Sequence, residues 1–513
     1  MPPAQSYELL PRGSAEHRHD HDEFKDKPLP RRRTALFLLL RKSRRLCRPI
    51  FILPTLLVLL LLQVTFNASY VRGPPFELNT TDTVFIAANI IDGDLINGTW
   101  GKSVLELVEI IGKERVFVSI YGGPSEALRA FDTKLPKEVG RSIVSEATSP
   151  IKLTIIPHTT LPSGEERIKR IAFLAEVRNK AIEPLSKAEK PYDKLLFIND
   201  VVFDPRDATR LLWGTNVNKN GKADYKAACG TDFITSWKYY DTYATRDAEG
   251  FSIGIPIFPW FANAGTHAQS RRDVLAGRDA VGVKSCWGGI VAFDGRYFQQ
   301  PAKQSAVTPG TSTLPLRFRS EPDPLWDASE CCLIHADILA LPAFPGQTFG
   351  GSEGGVYMNP YVRVAYNEMT FRFIPFAKRF ERLFALPQDV IGRLAKLPRL
   401  NYRRGEKEGE KVRDRVWVVN KKVEKEKGWK EMLRIGGRAT GGVGGLQGRA
   451  TLGAGATKSK EYWAQEGHYE DIERTAERGG YCGVRQLLVL KKEGDETPGN
   501  WDNLLDQVPP LEV

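Results

Sequence analysis

YDKLLFINDVVFDPRDATRLL, residues 192–212, is the stretch from which the rest of the chain can be read. Lys194 to Ile198 is an apolar run of strand length, broken by the polar pair Asn199 and Asp200 before Val201, Val202 and Phe203. Asp204, Pro205 and Asp207 then fall at the N-cap, N1 and N3 positions of a helix start. A buried strand that brings an acid to its C-terminal end, ahead of a loop and a helix, is the layout of ligand sites in open α/β sheets. Capping accounts for Asp204. Nothing local accounts for Asp200, and an unpaired carboxylate beside an apolar strand is costly to bury. A metal ion, an arginine or another cation would offset that cost.

Upstream, TVFIAAN (83–89) and RVFVSIY (115–121) read as strands, and Ile151–Ile156 as a third, so the run from Leu195 is the fourth. Helices are expected over Thr99–Ile111, from about Ser125, and over Glu165–Leu185. Strands alternating with helices at this spacing predict βαβ units and a mostly parallel central sheet covered on both faces. No Gly-x-Gly-x-x-Gly follows the first strand, which removes the ordinary dinucleotide fingerprint and leaves nucleotide-sugar enzymes on a similar sheet. Within the long helix, Ile168, Ile171, Ala175, Arg178 and Ile182 share one face, so Arg178, followed by Asn179, sits on the apolar stripe. There it either snorkels or pairs with an internal acid, or else clamps a phosphate or carboxylate beneath the strand tips.

Downstream, a second apolar element ends on Asp232. WKYYDTYATRDAEG (237–250) mixes four aromatics with Asp241, Arg246, Asp247 and Glu249, which suits a carbohydrate platform and equally a domain surface. Trp287-Gly288-Gly289 permits a ligand to approach the backbone closely, although a tight turn has the same composition. Glu330, His335 and Asp337, on a helix or short strand, are the remaining catalytic or metal-ligating candidates, Asp337 being the one best read as an ordinary surface group. Val356–Tyr366 is expected to be the last core strand and 371–386 an amphipathic helix, while 436–456 is Gly-rich linker.

The 513 residues allow one large domain or two ordinary ones. The net charge of +11 is local: residues 1–48 carry twelve basic and six acidic side chains, and residues 401–430 eleven and six. With the interior near neutral and no basic groove interleaved with aromatics, a nucleic-acid partner is excluded. Pro49–Phe66 is uncharged and only slightly short of the ~20 residues that span a bilayer. The arginines and lysines before it place residues 1–48 in the cytosol and everything after about Val71 outside it, with a retained anchor favoured over a cleaved signal peptide. Sequons follow at Asn67, Asn79 and Asn97. Five cysteines beyond the apolar run are an odd number, so at least one is free or pairs between chains. None has zinc-site spacing.

The chain resembles the fungal capsule-associated α-1,3-mannosyltransferases, glycosyltransferase family 69. The resemblance is carried by FIAAN (85–89), Arg178-Asn179, FINDVVF (197–203), the Cys229–Asp232 segment and YDTYATRDAEG (240–250). It continues through SCWGGIVAFDGRYF (285–298), FRSE (318–321), ASECCLIHADI (328–338) and YMNPYVRVAY (357–366). It implies a single-pass Golgi membrane enzyme with a GT-A-like nucleotide-sugar-binding fold, transferring mannose from GDP-mannose with Mn²⁺ or Mg²⁺ and with retention at the anomeric carbon. The expected organisation is a cytosolic tail (1–48), a transmembrane anchor (49–66), a stem (67–80), the transferase domain (81–400) and a C-terminal appendage (401–513), in an assembly that could be homo-oligomeric.

By that resemblance Asp200 takes the place of the metal-binding aspartate, in an Asn-Asp-Val setting instead of Asp-x-Asp, with Asp232 or His335 as a second ligand. Asn89, Arg178 and Asn179 would then bind the donor. Glu330 and Asp232 are the catalytic candidates beside Asp200. Trp287, Gly288, Gly289, Arg246 and Asp247 would shape the acceptor pocket. The alternatives are transfer from another nucleotide sugar, and a membrane-anchored carbohydrate-binding protein without turnover.

Overall fold

The computed structural model describes residues 49–79, 81–161, 165–300, 314–349, 354–419, 467–492 and 500–504. The basic tail and the Gly-rich segment 436–456 lie outside them. The chain forms two units, Met1–Leu62 and Gln63–Val513.

The first helix, α1, is Pro49–Phe66, and its side chains from Leu53 to Leu62 are exposed. Its 18 residues, with Pro54 inside, extend about 27 Å at 1.5 Å per residue, short of the ~30 Å hydrocarbon layer. Among the described residues no helix is long and apolar enough to cross a membrane. The expected transmembrane anchor, and with it the single-pass Golgi topology, is therefore corrected.

The second unit opens with β1 (Val84–Ala88), α2 (Gly93–Asn97), α3 (Thr99–Ile111), β2 (Val116–Gly122), α4 (Ser125–Lys134) and β3 (Gly140–Ser145). A hairpin of β4 (His158–Thr160) and β5 (Glu166–Ile168) leads into α5 (Arg170–Ser186), β6 (Lys194–Ile198), α6 (Pro205–Trp213) and β7 (Ala227–Thr235). There follow β8 (Lys238–Tyr239), β9 (Arg246–Asp247), α7 (Gln269–Leu275), β10 (Val281–Ser285), β11 (Ile290–Asp294), β12 (Trp326–Ala328) and α8 (Glu330–Ala340). Next are β13 (Val356–Ala365), α9 (Glu368–Ala377) and α10 (Ala385–Leu394). A ribbon of β14 (Lys411–Val419) with β15 (Gly467–Thr475) precedes three short strands, β16 (Gly483–Arg485), β17 (Leu488–Leu490) and β18 (Trp501–Asn503).

The main sheet runs β3-β2-β1-β6-β11-β7-β13-β10-β9. Its β3-β2-β1-β6 half is parallel. Beyond β6, β11 is antiparallel to both β6 and β7, β13 is parallel to β7, and β10 is antiparallel to both β13 and β9. The sheet is thus mixed and not mostly parallel. Strand alternation sends Val84, Ile86 and Ala88 of β1 into one core with Trp100, Leu107 and Leu128, and Phe85 and Ala87 into the other with Ala172 and Ala175. The third strand is Gly140–Ser145, not Ile151–Ile156. Pro150 and Pro157 bracket the latter and remove ladder donors at both ends; a 3₁₀ turn, Leu153–Ile155, forms instead.

The C-terminal segment belongs to the body. Cys332 of α8 and Cys482 form a disulfide, β16 pairs with β12, and Val489 bridges to Lys169. A second disulfide joins Cys229 of β7 to Cys286, and Cys331 is the free, buried thiol among the described cysteines.

Candidate functional site

β6 ends on Asn199 and Asp200, as the apolar run dictates. The Asp204 side chain accepts the Arg206 N–H at 2.8 Å and so caps α6. Asn199 is the fixed point of the site. Its carbonyl accepts Trp100 Nε1–H at 2.9 Å, its N–H donates to Gly289 O at 2.9 Å, and its Oδ1 accepts Trp287 Nε1–H at 3.1 Å. Asp200 beside it receives no hydrogen bond from another side chain among the described residues. Burial pushes its carboxyl above the usual range, against the pull of its own backbone N–H and of Arg178.

Arg178 comes from α5, which packs in the same core as Phe197, Trp287 and Phe318. Its Nε donates to Glu330 Oε1 at 2.9 Å and its Nη1 to Asn199 Oδ1 at 3.4 Å. The guanidinium lies 4.4 Å from the centroid of Trp287, 5.3 Å from Phe197 and 5.9 Å from Phe318. A planar cation held against aromatic faces in a largely dehydrated place keeps its charge and a fixed orientation. Glu330, the first residue of α8, also takes the Cys331 thiol at 3.5 Å. Asn179 clamps the neighbouring loop: its Nδ2 donates to Phe318 O at 2.9 Å and its Oδ1 accepts Phe318 N–H at 2.8 Å.

Asp232 of β7 is buried on the opposite side of the Asp241 turn. Its Oδ1 accepts Asp241 N–H at 3.0 Å and its Oδ2 accepts the Tyr366 hydroxyl at 2.9 Å. Burial and the Asp241 carboxylate push it up to about 8. Tyr366 and Tyr240 pack with centroids 4.5 Å apart, and burial, with the nearby aspartates, raises both hydroxyls above the usual phenol range. Asp241 positions the tryptophan turn, its Oδ2 accepting Trp287 N–H at 2.9 Å and Gly288 N–H at 3.4 Å. Gly288 and Gly289 have φ of +58° and +70°. A Cβ on Gly288 would lie 2.1 Å from Gly230 O, so close strand packing alone requires that glycine.

The remaining expected residues sit as follows. Asn89 Nδ2 donates to Tyr121 O and Val177 O, both at 3.0 Å, and its Oδ1 is buried without a hydrogen-bond partner among the described residues. Arg246 spends its donors on the carbonyls of Tyr243, Thr245, Tyr481 and Cys482, tying the C-terminal segment to β9. Asp247 Oδ1 accepts the N–H groups of Glu249 and Phe251 within the same turn. His335 is fully buried on α8, its Nδ1 2.7 Å from Cys331 O and its Nε2 without a partner among the described residues; burial lowers it to about 4. Asp337, expected as an ordinary surface or helix-end group, is instead buried on α8 and pairs with Arg319 at 2.9 Å. Asn67 and Asn97 are exposed, and Asn79 Oδ1 accepts the Thr81 hydroxyl of its own sequon at 2.8 Å.

Asp200, Asp232 and His335 do not assemble: among the described residues no group of three or more His, Cys, Asp and Glu could hold a metal ion. Asp200 alone still fits a cation that takes most of its ligands from a bound diphosphate, because such ions use one or two carboxylates plus phosphate oxygens. Phe318 and Tyr366 were not singled out from sequence, and Asn199 and Asp241 were noted there without a positioning role. All four lie in the quoted stretches FINDVVF, YDTYATRDAEG, FRSE and YMNPYVRVAY, but only the fold places Tyr366 against a residue 134 positions away.

Residues 83–337 match the protein-family model described as "Cryptococcal mannosyltransferase 1". No curated protein matches the chain. Among solved structures, glucosyl-3-phosphoglycerate synthase from Mycobacterium tuberculosis, in complex with Mn²⁺, UDP and phosphoglyceric acid, is 10% identical, with 67% of this chain and 89% of that one covered and a TM-score of 0.29. The mannosyltransferase PcManGT from Pyrobaculum calidifontis, in complex with GDP-Man and Mn²⁺, is 11% identical, with 64% and 81% covered and a TM-score of 0.30. At those scores neither likeness carries an argument. Over residues 83–337, just under half of its length, the chain is thus similar to a family of mannosyltransferases.

Proposed function

We propose that the protein transfers mannose from GDP-mannose to a mannoside or other glycan acceptor, forming an α-1,3 linkage with retention. The single observation that carries this reading is Asp200. It is a carboxylate at a strand tip, without a side-chain donor of its own, next to an arginine that is already oriented and partly desolvated. The similarity of residues 83–337 to a mannosyltransferase family model supports mannose as the transferred sugar.

In this reading Asp200 holds a divalent cation, Mn²⁺ or Mg²⁺, which when bound neutralises charge on the departing diphosphate. Arg178 faces the same leaving group. Its Nε is committed to Glu330 and its Nη1 to Asn199, and Nη2 makes none of these hydrogen bonds. Cation–π contact with Trp287 keeps the guanidinium from swinging away, so the positive charge costs no reorganisation when the glycosidic bond breaks. Glu330, paired with Arg178 at 2.9 Å, is the group assigned to face the oxocarbenium-like centre or the acceptor. Asp232, buried and bonded to the Tyr366 hydroxyl, acts as a hydrogen-bonded support instead of as a base. Retention follows from front-face attack assisted by the departing phosphate, which needs no covalent enzyme intermediate. The acceptor hydroxyl needs only orientation, and the Trp287 turn and the Tyr240–Tyr366 pair line the approach.

Titrating GDP-mannose binding with Mn²⁺ for the native protein and Asp200→Asn tests the assignment. Loss of the metal-dependent part of the affinity supports it. Unchanged Mn²⁺-dependent affinity in the variant overturns it.

A further inference from the structure

α9 and α10 carry more exposed apolar surface than any fold requirement explains. Met369, Phe373 and Phe376 follow one another at helical spacing along α9, and Leu386, Val390 and Leu394 do so along α10, all of them exposed. Met369 is 72% exposed, Leu386 73% and Leu394 80%. By contrast, the same two helices bury Thr370, Ile374, Gln388 and Gly392. They are amphipathic with the apolar side turned outward, the reverse of a helix that covers a core.

Charge decides between occupants. Residues 368–400 hold seven basic side chains and three acidic ones. Of the acids, Glu381 is buried against Arg363 at 2.7 Å, while Glu368 and Asp389 pair with Arg372 and Arg393 within their own helices. Exposed Arg379, Lys396 and Arg399 are left to rim the apolar stripes. A second copy laid on this face would set like charges against each other. A negatively charged, partly apolar surface meets both features.

The chain enters the body at the same place. Ser69 N–H donates to Lys378 O at 3.2 Å, its hydroxyl bonds Glu381, and Phe66, three residues earlier, is 80% exposed.

We infer that α9, α10 and the turn between them form a docking face for an anionic lipid surface. The aromatic and leucine side chains enter the headgroup boundary and the rim of arginine and lysine meets the lipid phosphates. The contact is with the surface of a bilayer and involves no helix that crosses it. It does not rest on the proposed reaction. Tyr366 of the candidate site is separated from α9 only by Asn367, the helix cap, so docking also places that site next to the lipid.

The test uses the full chain with Cys47→Ser and a single environment-sensitive fluorophore on Leu386→Cys or, separately, Leu394→Cys. Cys331 is buried and the other described cysteines are paired. Both probe positions are exposed, so the fold is undisturbed, and the probe reads this face whatever other apolar segments do. A control probe sits at Val217→Cys. Vesicles of phosphatidylcholine with about 30 mol% phosphatidylserine should shift the emission of both face probes to the blue and leave the control unchanged, and the response should fade at high salt. Adding Arg379→Glu and Lys396→Glu should weaken vesicle binding at least about tenfold. The proposal is overturned by face probes that stay silent, by a response untouched by the charge reversals, or by a blue shift that follows protein concentration without vesicles. The last result would make the occupant a second copy of the chain.

Discussion

Removing Arg178 separates two roles that this residue combines. Its side chain is 14% exposed and that of Glu330 is 4%, with Nε and Oε1 2.9 Å apart. Breaking a buried pair from one side leaves an uncompensated charge and costs about 3–5 kcal/mol. The stacking on Trp287 at 4.4 Å adds on the order of 1–2 kcal/mol. Arg178→Met keeps the bulk and removes the charge, and should lower the unfolding free energy by about 4 kcal/mol. Glu330→Gln in the same chain neutralises the stranded carboxylate. The double variant should recover roughly 2–3 kcal/mol of that loss as a coupling energy. Turnover should behave differently. Both Arg178→Met variants lose the charge that faces the leaving group, so their kcat should stay at least about a hundredfold down. Urea unfolding followed by tryptophan fluorescence gives the stabilities, since Trp287 reports directly on this contact. A coupling energy below about 0.5 kcal/mol would show that the pair does not hold the site together. Activity restored along with stability would refute a direct role for the guanidinium.

Three other outcomes follow from the same geometry. The Asp232 carboxyl is pushed up to about 8 in the fold by burial and the neighbouring Asp241, whereas an unfolded aspartate ionises near about 3.9. The folded state therefore binds the extra proton, its stabilising contribution is full below about pH 4 and is lost as pH rises through about 8. Asp232→Asn should flatten the fall in urea midpoint between pH 6 and 9; an unchanged slope would remove Asp232 as its source. Cys482→Ser opens the bridge across 150 residues, for which chain entropy gives an upper limit of about 5 kcal/mol. Proteolysis should then release the segment after Arg478 first, and an unchanged digestion pattern and stability would contradict its role as a tie. Gly288→Ala must displace the Gly230 carbonyl and should lower soluble yield and turnover together. A fully active, equally stable alanine variant would show that the turn has slack.

Local patterns were legible where one residue type has one physical use. Thr99–Ile111 has helical periodicity and is the helix with those bounds; Asp204-Pro205 is a cap, and Asp204 caps. Strand direction was not legible. The apolar run Ile290–Asp294 reads alike in either sense, and its insertion antiparallel between β6 and β7 makes the sheet mixed. The proline-bracketed stretch at 151–156 shows the limit of apolar content as a strand signal, since it lacks the ladder donors that Gly140–Ser145 supplies. The site's support was hidden for a different reason. Asp241 touches Trp287 from 46 positions away and Arg178 meets Glu330 across 152, and neither spacing leaves a periodic trace. The apolar run at 49–66 suggested a span from composition alone, while the helix it forms is 18 residues with an internal proline.

The most direct test of the account is mannose transfer itself. Purified protein, GDP-mannose, Mn²⁺ and a panel of mannoside acceptors, with product mass and linkage as readout, should give an α-1,3-linked product with the native chain and none above background with Asp200→Asn. Transfer from no nucleotide sugar, or an Asp200→Asn variant as fast as the native chain, would contradict the assignment of Asp200 as the centre of the site.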